Sequence, residues 1–234
     1  LQYIHTPEVK IITAEDPIEF SFPGIMQTQV NNKIDLTFAR LLRSFLRLDP
    51  DVILVGEVRD KETARISFDA AQTGHLLLST IHTIDSVSAI TRLLDLGIDH
   101  NQIASNLIGV LSQRLVRRNC IKCSRPYVPP KNEWRLFFKE LPSHITFYKG
   151  VGCKACKFTG YSGRTLVSEL FDISNEMTLA ISCKTGETEL KKIAVESGMK
   201  TMADDGLSKM DQISLGELIR VLPLEMIKEF KSRH

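Results

Sequence analysis

The chain has 234 residues, of which 25% are charged and 43% are apolar, and its formal net charge is +2. This composition is ordinary for a soluble globular protein with room for one large domain or two modest ones. The near-neutral charge gives no reason to expect nucleic acid or an acidic membrane surface as the main partner. No apolar run reaches the roughly 18 residues that a spanning helix needs, so no direct membrane span is expected.

The first half of the chain alternates short apolar runs with helical periods, a pattern typical of a parallel sheet flanked by helices. Strands are predicted at residues 9–13, 52–55 and 76–80, and the last two, being continuous apolar runs, are expected to be buried on both faces. The helices are predicted at residues 37–48, 61–72, 86–96 and from 99 onward. Asp60 and Asp99 are the expected N-caps of the second and fourth of these helices, and Gln102 is the expected capping partner of Asp99. The run over residues 52–80 therefore predicts a right-handed βαβ unit.

The character of the sequence changes near residue 118. Residues 119–165 contain two cysteine pairs and many turn-forming residues, and a strand is predicted at about 166–171, followed by short helices. The sequence therefore predicts an incomplete α/β core over residues 1–118, a cysteine-bearing segment over 119–165 and a small helical domain over 166–234.

Each of the three predicted strands runs directly into ionisable side chains. The first leads to Glu15 and Asp16, the second to Glu57 and the third to His82. In open parallel sheets, ligands bind beyond the carboxyl ends of the strands. Convergence of two glutamates, an aspartate and a histidine at three such ends predicts a functional site there.

The second strand has the form of a Walker B segment, in which apolar residues deliver an acid to the site. Such an acid could orient a water for attack on a γ-phosphate, or hold the phosphate through magnesium. Gly56 occupies the position that usually carries Asp, which leaves Glu57 as the only local acid, and Arg59 lies two residues beyond it. The alternative for Glu57 is a capping acid between a buried strand and the next helix.

Two histidines, His75 and His82, bracket the third predicted strand. If that strand were regular throughout, its period of two would place them on opposite faces. Both are candidates for a phosphate contact, and for both the alternative is a structural hydrogen-bonding role. An arginine stripe on the helix over 37–48 consists of Arg40, Arg43 and Arg47. It is interpreted as a solvated face or a subunit contact, and the alternative is that it stabilises phosphate charge on a neighbouring subunit.

Four of the five cysteines form two C-x-x-C pairs that are separated by 29 residues: Cys120, Cys123, Cys153 and Cys156. Two such pairs are typical of a tetrahedral structural zinc site, with reduced thiols or disulfides as the alternatives. Four sulfur ligands leave no open position for catalysis, so the expected role of Zn²⁺ is to fold a loop-rich segment. Cys183 is left over.

The sequence contains no stretch of the form G-x-x-x-x-G-K-[ST], the loop that cradles nucleotide phosphates. Either the chain is not a nucleotide enzyme, or the loop lies before Leu1. In both cases the 234-residue chain alone is expected to hydrolyse ATP negligibly.

Taken in order, these motifs resemble a known family. Residues 11–19 are similar to the Asp box of the traffic ATPases of type II secretion and type IV pilus assembly, residues 48–60 to their Walker B segment, and residues 73–83 to their His box. Gln113-Arg114-Leu115 followed by the cysteine pairs completes the resemblance, which runs from about residue 9 to 222. Two positions depart from the family pattern: Leu48 stands where Gln is usual, and Ile84 where Asn is usual. The cysteine pairs favour the secretion and pilus assembly branches over pilus retraction.

The resemblance implies a RecA-like core that binds ATP and Mg²⁺, with its phosphate loop upstream of Leu1. It implies that Glu57 acts on the attacking water, that Glu15 and Asp16 support magnesium and that water, and that His75 and His82 lie near the phosphates. It also implies a homo-hexamer in the cytoplasm, held at the inner membrane by platform and accessory proteins, which couples hydrolysis to pilus or pseudopilus assembly. The competing hypothesis is a non-catalytic, zinc-bearing adaptor that serves only as a docking platform.

Overall fold

The computed structural model describes residues 1–233 and divides the chain into two compact units. The first unit comprises residues 1–108 and 173–193, and the second comprises residues 109–172 and those from 194 onward. The units therefore do not follow the sequence in order, and their limits differ from the predicted boundaries after residues 118 and 165.

A four-stranded parallel sheet forms the centre of the first unit. Its strands are β1 (Ile11–Glu15), β2 (Met26–Gln29), β3 (Val52–Val55) and β4 (Leu76–Ser79), arranged in the order β2-β1-β3-β4. Ala14 pairs with Val55, and Val55 pairs with Ser79, so these three strands end level with one another. The register therefore brings the residues that follow the strands to one edge of the sheet.

Four helices accompany this sheet: α1 (Phe38–Phe45), α2 (Lys61–Gln72), α3 (Ser88–Asp95) and α4 (His100–Asn106). The predicted βαβ unit is confirmed, because β3 and β4 are parallel neighbours joined through α2. Asp60 caps α2 by accepting from Thr63 N at 2.8 Å, and Asp99 forms the expected capping box with Gln102. These caps satisfy backbone N–H groups that have no partner within the helix.

The strands of this sheet differ in burial. Ile12 and Ile53 are fully buried at the centre, whereas Leu76 on β4 is 39% exposed. The expected burial on both faces therefore holds for β3 but not for β4, which is an edge strand within residues 1–233. The sequence analysis missed β2, because a short run of polar residues pairs with β1 through backbone groups and carries no apolar signal.

The second unit is built on a long antiparallel ribbon. Strand β5 (Gly109–Asn119) precedes the short strand β6 (Ser124–Pro126), helix α5 (Lys131–Phe137) and strand β7 (Tyr148–Gly150), and β8 (Tyr161–Asp172) then returns along β5. The predicted boundaries after residues 118 and 165 fall inside β5 and β8, whose backbone ladder joins them into one element. Only residues 166–171 of this ribbon were predicted as a strand, because one ribbon face is exposed and carries leucines among polar residues.

The end of the chain is helical, as the sequence predicts, with α6 (Asn175–Ser182), α7 (Glu187–Glu196), α8 (Met202–Ser208), α9 (Leu215–Val221) and α10 (Leu224–Arg233). Helices α8 and α9 pack on the buried face of the ribbon, where Val116 and Val167 are fully buried, and α10 packs on α5 and α8. Phe137 and Phe230 meet edge to face with ring centroids 5.9 Å apart. Aromatic pairs of this kind contribute about 0.5–1.5 kcal/mol beyond the area that they bury.

Candidate active site and metal centre

Glu57 lies just beyond the end of β3, and its side chain is only 11% exposed. Two groups contact the same carboxylate oxygen, Oε2: Arg59 Nε in an ion pair and His82 Nε2 at 3.5 Å. The preceding residue, Gly56, donates its N–H to Ala14 O at 2.7 Å, which continues the ladder between β1 and β3. The backbone ladder therefore fixes the position of Glu57 at the sheet edge, and the two contacts on Oε2 orient its carboxylate.

Glu15 is the last residue of β1 and is half-buried. Its Oε1 accepts hydrogen bonds from Thr13 Oγ1 at 2.5 Å and from Gln27 Nε2 at 2.9 Å. Both bonds fall on one oxygen, so they fix the orientation of the carboxylate at the same edge as Glu57. Asp16 follows directly and is exposed.

His82 lies in the loop after β4, and its side chain is 82% exposed. Thr80 ties the start of this loop to the strand beside it: Thr80 O accepts from Val58 N at 3.0 Å, and Thr80 Oγ1 donates to Gly56 O at 2.7 Å. These bonds bring His82 to Glu57, as expected from residues that follow adjacent strands. An exposed imidazole beside a fixed carboxylate is free to contact a bound molecule.

The structure does not place His75 with this group. His75 precedes β4, at the end of the sheet opposite Glu57, and its Nδ1 lies 2.9 Å from Ala70 O and 3.1 Å from Thr73 Oγ1. The predicted placement on opposite faces does not apply, because β4 covers only Leu76–Ser79 and neither histidine is part of it. Thus Glu15, Asp16, Glu57, Arg59 and His82 share one edge of the sheet, and His75 lies at the other.

The arginine stripe, which lies on α1 and, for Arg47, in the turn directly after it, is engaged within the chain. Arg40 pairs with Asp35 at 3.1 Å, Arg43 pairs with Glu62 at 2.5 Å, and Arg47 Nη2 lies 3.4 Å from Ser44 Oγ. The side chains of Arg40 and Arg43 are 60% and 54% exposed, which is typical of a solvated helix face.

The four paired cysteines converge, although 29 residues separate the two pairs. Their Sγ atoms all lie within 4.8 Å of one another, and three of the distances are 3.9, 3.9 and 3.8 Å. A tetrahedron of sulfurs around zinc, with Zn–S bonds of about 2.3 Å, has edges of about 3.8 Å. The sulfur geometry therefore fits a tetrahedral metal site.

Backbone N–H groups favour the thiolate form of one cysteine in this cluster, Cys156, whereas burial raises the pKa of Cys123 to about 11. Burial opposes ionisation of Cys156, but hydrogen bonds from Cys153 N at 3.2 Å and Gly160 N at 3.3 Å outweigh it and lower the pKa of Cys156 to about 6. A close backbone approach supports this arrangement, since a Cβ on Gly150 would lie 1.9 Å from Gly160 O. Glycine is required at that crossing, which keeps the two cysteine loops together.

The sequence analysis missed the residues that hold the candidate active site. Thr80 and Gln27 bind the backbone of Gly56 and the side chain of Glu15, respectively. A threonine directly after a strand gives a weak signal, and a glutamine in an unpredicted strand gives none. Asp85 resembles an ordinary helix-capping residue in sequence, and only its long-range partner Lys191 sets it apart.

The fold and the site together define an α/β protein with acidic, basic and imidazole side chains gathered at the carboxyl edge of a parallel sheet. Comparison with known proteins extends this result. The model of the family described as "Type II/IV secretion system protein" matches residues 1–220, and the chain belongs to this family. No helix within residues 1–233 combines the length and the apolar character that crossing a membrane requires.

Two curated relatives are similar over most of the chain. The type IV pilus assembly ATPase PilB of Thermus thermophilus is 50% identical over 211 residues, which cover 89% of this chain and 24% of that protein. The type II secretion system ATPase E of Vibrio cholerae is 45% identical over 223 residues, which cover 94% of this chain and 44% of that protein. The chain therefore spans less than half the length of these relatives.

Solved structures show the same fold. The pilus retraction motor PilT, determined with bound ADP, superposes with a TM-score of 0.65 at 27% identity, covering 95% of this chain and 55% of PilT. The ATPase DotB of Legionella pneumophila gives a TM-score of 0.65 at 21% identity and supports the fold alone. The mixed α/β architecture with a parallel sheet is thus that of secretion and pilus ATPases.

Proposed function

We propose that this chain is part of a motor ATPase that couples ATP hydrolysis to the assembly of a pilus or pseudopilus. The observation that carries the proposal is the contact of Glu57 with Arg59 and His82 at the end of β3. Relatives that are named ATPases support it, as does the fixed carboxylate of Glu15 at the same edge of the sheet. The core is RecA-like, and a docking platform alone has no use for these groups at that edge.

Each side chain has a role in this proposal. ATP carries the scissile phosphate bond, and the Mg²⁺ bound with it would neutralise negative charge on the phosphates. Glu57 orients the attacking water through Oε1, because its two contacts both fall on Oε2. Glu15 and Asp16 hold the magnesium with its water shell, and Glu15 offers Oε2 for this purpose because Oε1 is already bonded to Thr13 and Gln27.

The cationic and imidazole groups act on the phosphates. Arg59 and His82 are largely exposed and can turn from Glu57 to charged phosphate oxygens. His75 lies at the opposite end of β4, so a phosphate contact from it requires a nucleotide held by another subunit or another part of the intact protein. The phosphate-cradling loop belongs to the part of the intact protein outside this chain, which alone is inactive.

The cysteine cluster holds Zn²⁺ in this proposal, because its sulfur spacing matches a tetrahedral site. The zinc is structural, with four protein ligands and no open position. The intact protein is a homo-hexamer in the cytoplasm, held at the inner membrane by an integral platform protein and accessory proteins. Subunit association uses exposed faces such as the α1 stripe.

The test is Glu57→Gln in the full-length protein. Because the amide cannot act as a base, we expect kcat for ATP hydrolysis to fall by about 100-fold or more. The amide keeps the shape of the carboxylate, so the Kd for ATP, measured by calorimetry, should stay within about threefold. Glu196→Gln on the exposed end of α7 is the matched control and should retain full turnover. Near-normal turnover of Glu57→Gln would remove Glu57 from this role and favour the adaptor.

A further inference from the structure

The loop that carries His82, residues 80–85, is held at both of its ends. Thr80 anchors its beginning to the backbone of Gly56 and Val58, as described above. Its other end is Asp85, whose backbone O accepts from Thr83 Oγ1 at 2.8 Å. The segment between these anchors forms no helix or strand, so the position of His82 depends on both of them.

Asp85 is 7% exposed, and each of its carboxylate oxygens has a different partner. Oδ1 accepts at 2.8 Å from the N–H of Ser88, the first residue of α3, while Oδ2 pairs with Lys191 Nζ at 2.8 Å. Burial opposes the charge of Asp85, but the hydrogen bond from Lys191 and those from Ser88 keep its pKa below the ordinary value. Asp85 is therefore a buried carboxylate with a fixed orientation.

Lys191 lies on α7, 106 residues further along the chain, and its side chain is only 17% exposed. Four residues earlier on the same helix, Glu187 contacts Thr91 Oγ1 of α3. Residues four apart lie on one face of a helix. One face of α7 is thus fastened at two points to the segment that follows His82.

We propose that Asp85 and Lys191 are positioning residues that hold the distal end of the His82 loop against α7 and so keep His82 facing Glu57. Holding the start of α3 needs only the oxygen that Ser88 contacts, so the ion pair with Lys191 adds a second attachment, to α7. Replacing a buried ion pair by apolar residues of similar volume is often neutral or stabilising, and in some proteins such pairs specify a geometry instead. The effect on catalysis rests on the proposed ATPase function.

Two variants of the full-length protein separate these roles. Asp85→Asn keeps an oxygen for the Ser88 N–H and removes the charge, while Lys191→Met keeps most of the aliphatic stem and removes the ammonium. Displacing His82 by about 1 Å is expected to lower kcat by about 10- to 100-fold. Neither residue belongs to the site edge, so KM for ATP should change less than threefold.

The matched control is Lys192→Met, since Lys192 neighbours Lys191 on α7 but is 61% exposed. It should leave kcat unchanged. The double variant Asp85→Asn/Lys191→Met removes both charges of this pair and should recover thermal stability relative to Lys191→Met without recovering kcat. If the double variant recovered both thermal stability and kcat, the pair would be merely structural and the proposal would be overturned.

A second readout does not depend on turnover. Amide hydrogen exchange at residues 81–84 of the nucleotide-free protein should be about tenfold faster in Lys191→Met than in wild type or Lys192→Met. Unchanged exchange overturns the positioning role. If Glu57→Gln is inactive while both single variants keep the wild-type kcat, this inference fails and the proposed function stands. If the wild-type protein lacks ATPase activity, the proposed function fails, and the exchange rates still decide whether the pair orders the loop.

Discussion

The two candidate sites of this protein differ in how their side chains are held. At the sheet edge, the side chains of Arg59 and His82 are 69% and 82% exposed, and Glu57 and Glu15 each have one carboxylate oxygen outside the contacts described. At the cysteine cluster, Cys120 and Cys123 are 2% and 4% exposed, and all four sulfurs face one another. An open site with spare hydrogen-bonding capacity suits a substrate, whereas a closed one suits a structural ion.

The largest expected effect is at the closed site. Protein purified without chelator should contain about one zinc per chain by elemental analysis, and Cys153→Ser should abolish metal binding. In zinc-finger peptides such binding supplies roughly 10 kcal/mol of folding free energy or more, so residues 120–165 should become sensitive to limited proteolysis. Cys183→Ser, at an exposed cysteine outside the cluster, is the control. Four titratable thiols without metal would contradict the zinc assignment.

The next effect concerns a buried carboxylate near the cysteine loops. Burial alone would raise the pKa of Glu217, whose side chain is fully buried, but hydrogen bonds from Arg220 and Arg117 lower it from 4.5 to about 2. This stabilisation is complete above pH 4.5 and is lost progressively as the pH falls to about 2. In that range Glu217 takes up a proton in the unfolded chain but stays charged in the folded protein. The shift corresponds to about 3 kcal/mol.

Glu217→Gln should therefore lower the free energy of unfolding by about 3 kcal/mol at pH 7. The difference from wild type should shrink between about pH 4 and pH 2, as measured by urea unfolding at each pH. Glu225→Gln on α10 is the control, with no comparable change expected. A difference that stays constant down to pH 2 would show that the carboxylate charge is not responsible.

A smaller effect tests how firmly the open site is fixed. A Cβ at Gly56 would lie 3.3 Å from Ala14 O and 3.5 Å from Glu15 Cα, and both neighbours are backbone atoms that cannot turn away. Gly56→Ala should therefore push β1 and β3 apart slightly, cost about 1–3 kcal/mol and reduce turnover of the full-length protein. At Gly216, inside α9, a Cβ would come no closer than 3.5 Å to the Glu133 carboxylate, so Gly216→Ala should be neutral or slightly stabilising in thermal unfolding.

The smallest effect is expected on the α1 stripe. The pair between Arg43 and Glu62 is more than half exposed on both sides, so Arg43→Ala should change the free energy of unfolding by less than about 1 kcal/mol. Sedimentation of the full-length protein distinguishes the two interpretations of this stripe. Loss of the assembled form in Arg43→Ala supports a subunit contact, and unchanged assembly supports a solvated face.

The sequence by itself determined the apolar strands and capped helices of the first unit and the residue types of both sites. Apolar runs located β3 and β4, the caps Asp60 and Asp99 located two helices, and the C-x-x-C spacing located the four cysteines that converge. These signals are local, because strand burial, helix capping and paired thiolates each depend on residues only a few positions apart.

Only the tertiary structure decided which of these elements belong together. The pairing of β5 with β8 joins residues 109–119 to 161–172, which is why the predicted domain boundaries and the observed units differ. His75 and His82 lie close in sequence, but β4 runs between them and places them at opposite ends of the sheet. Lys191 reaches Asp85 across 106 positions. Backbone ladders and buried ion pairs leave no periodic pattern in the sequence, so their partners become visible only when the chain is folded.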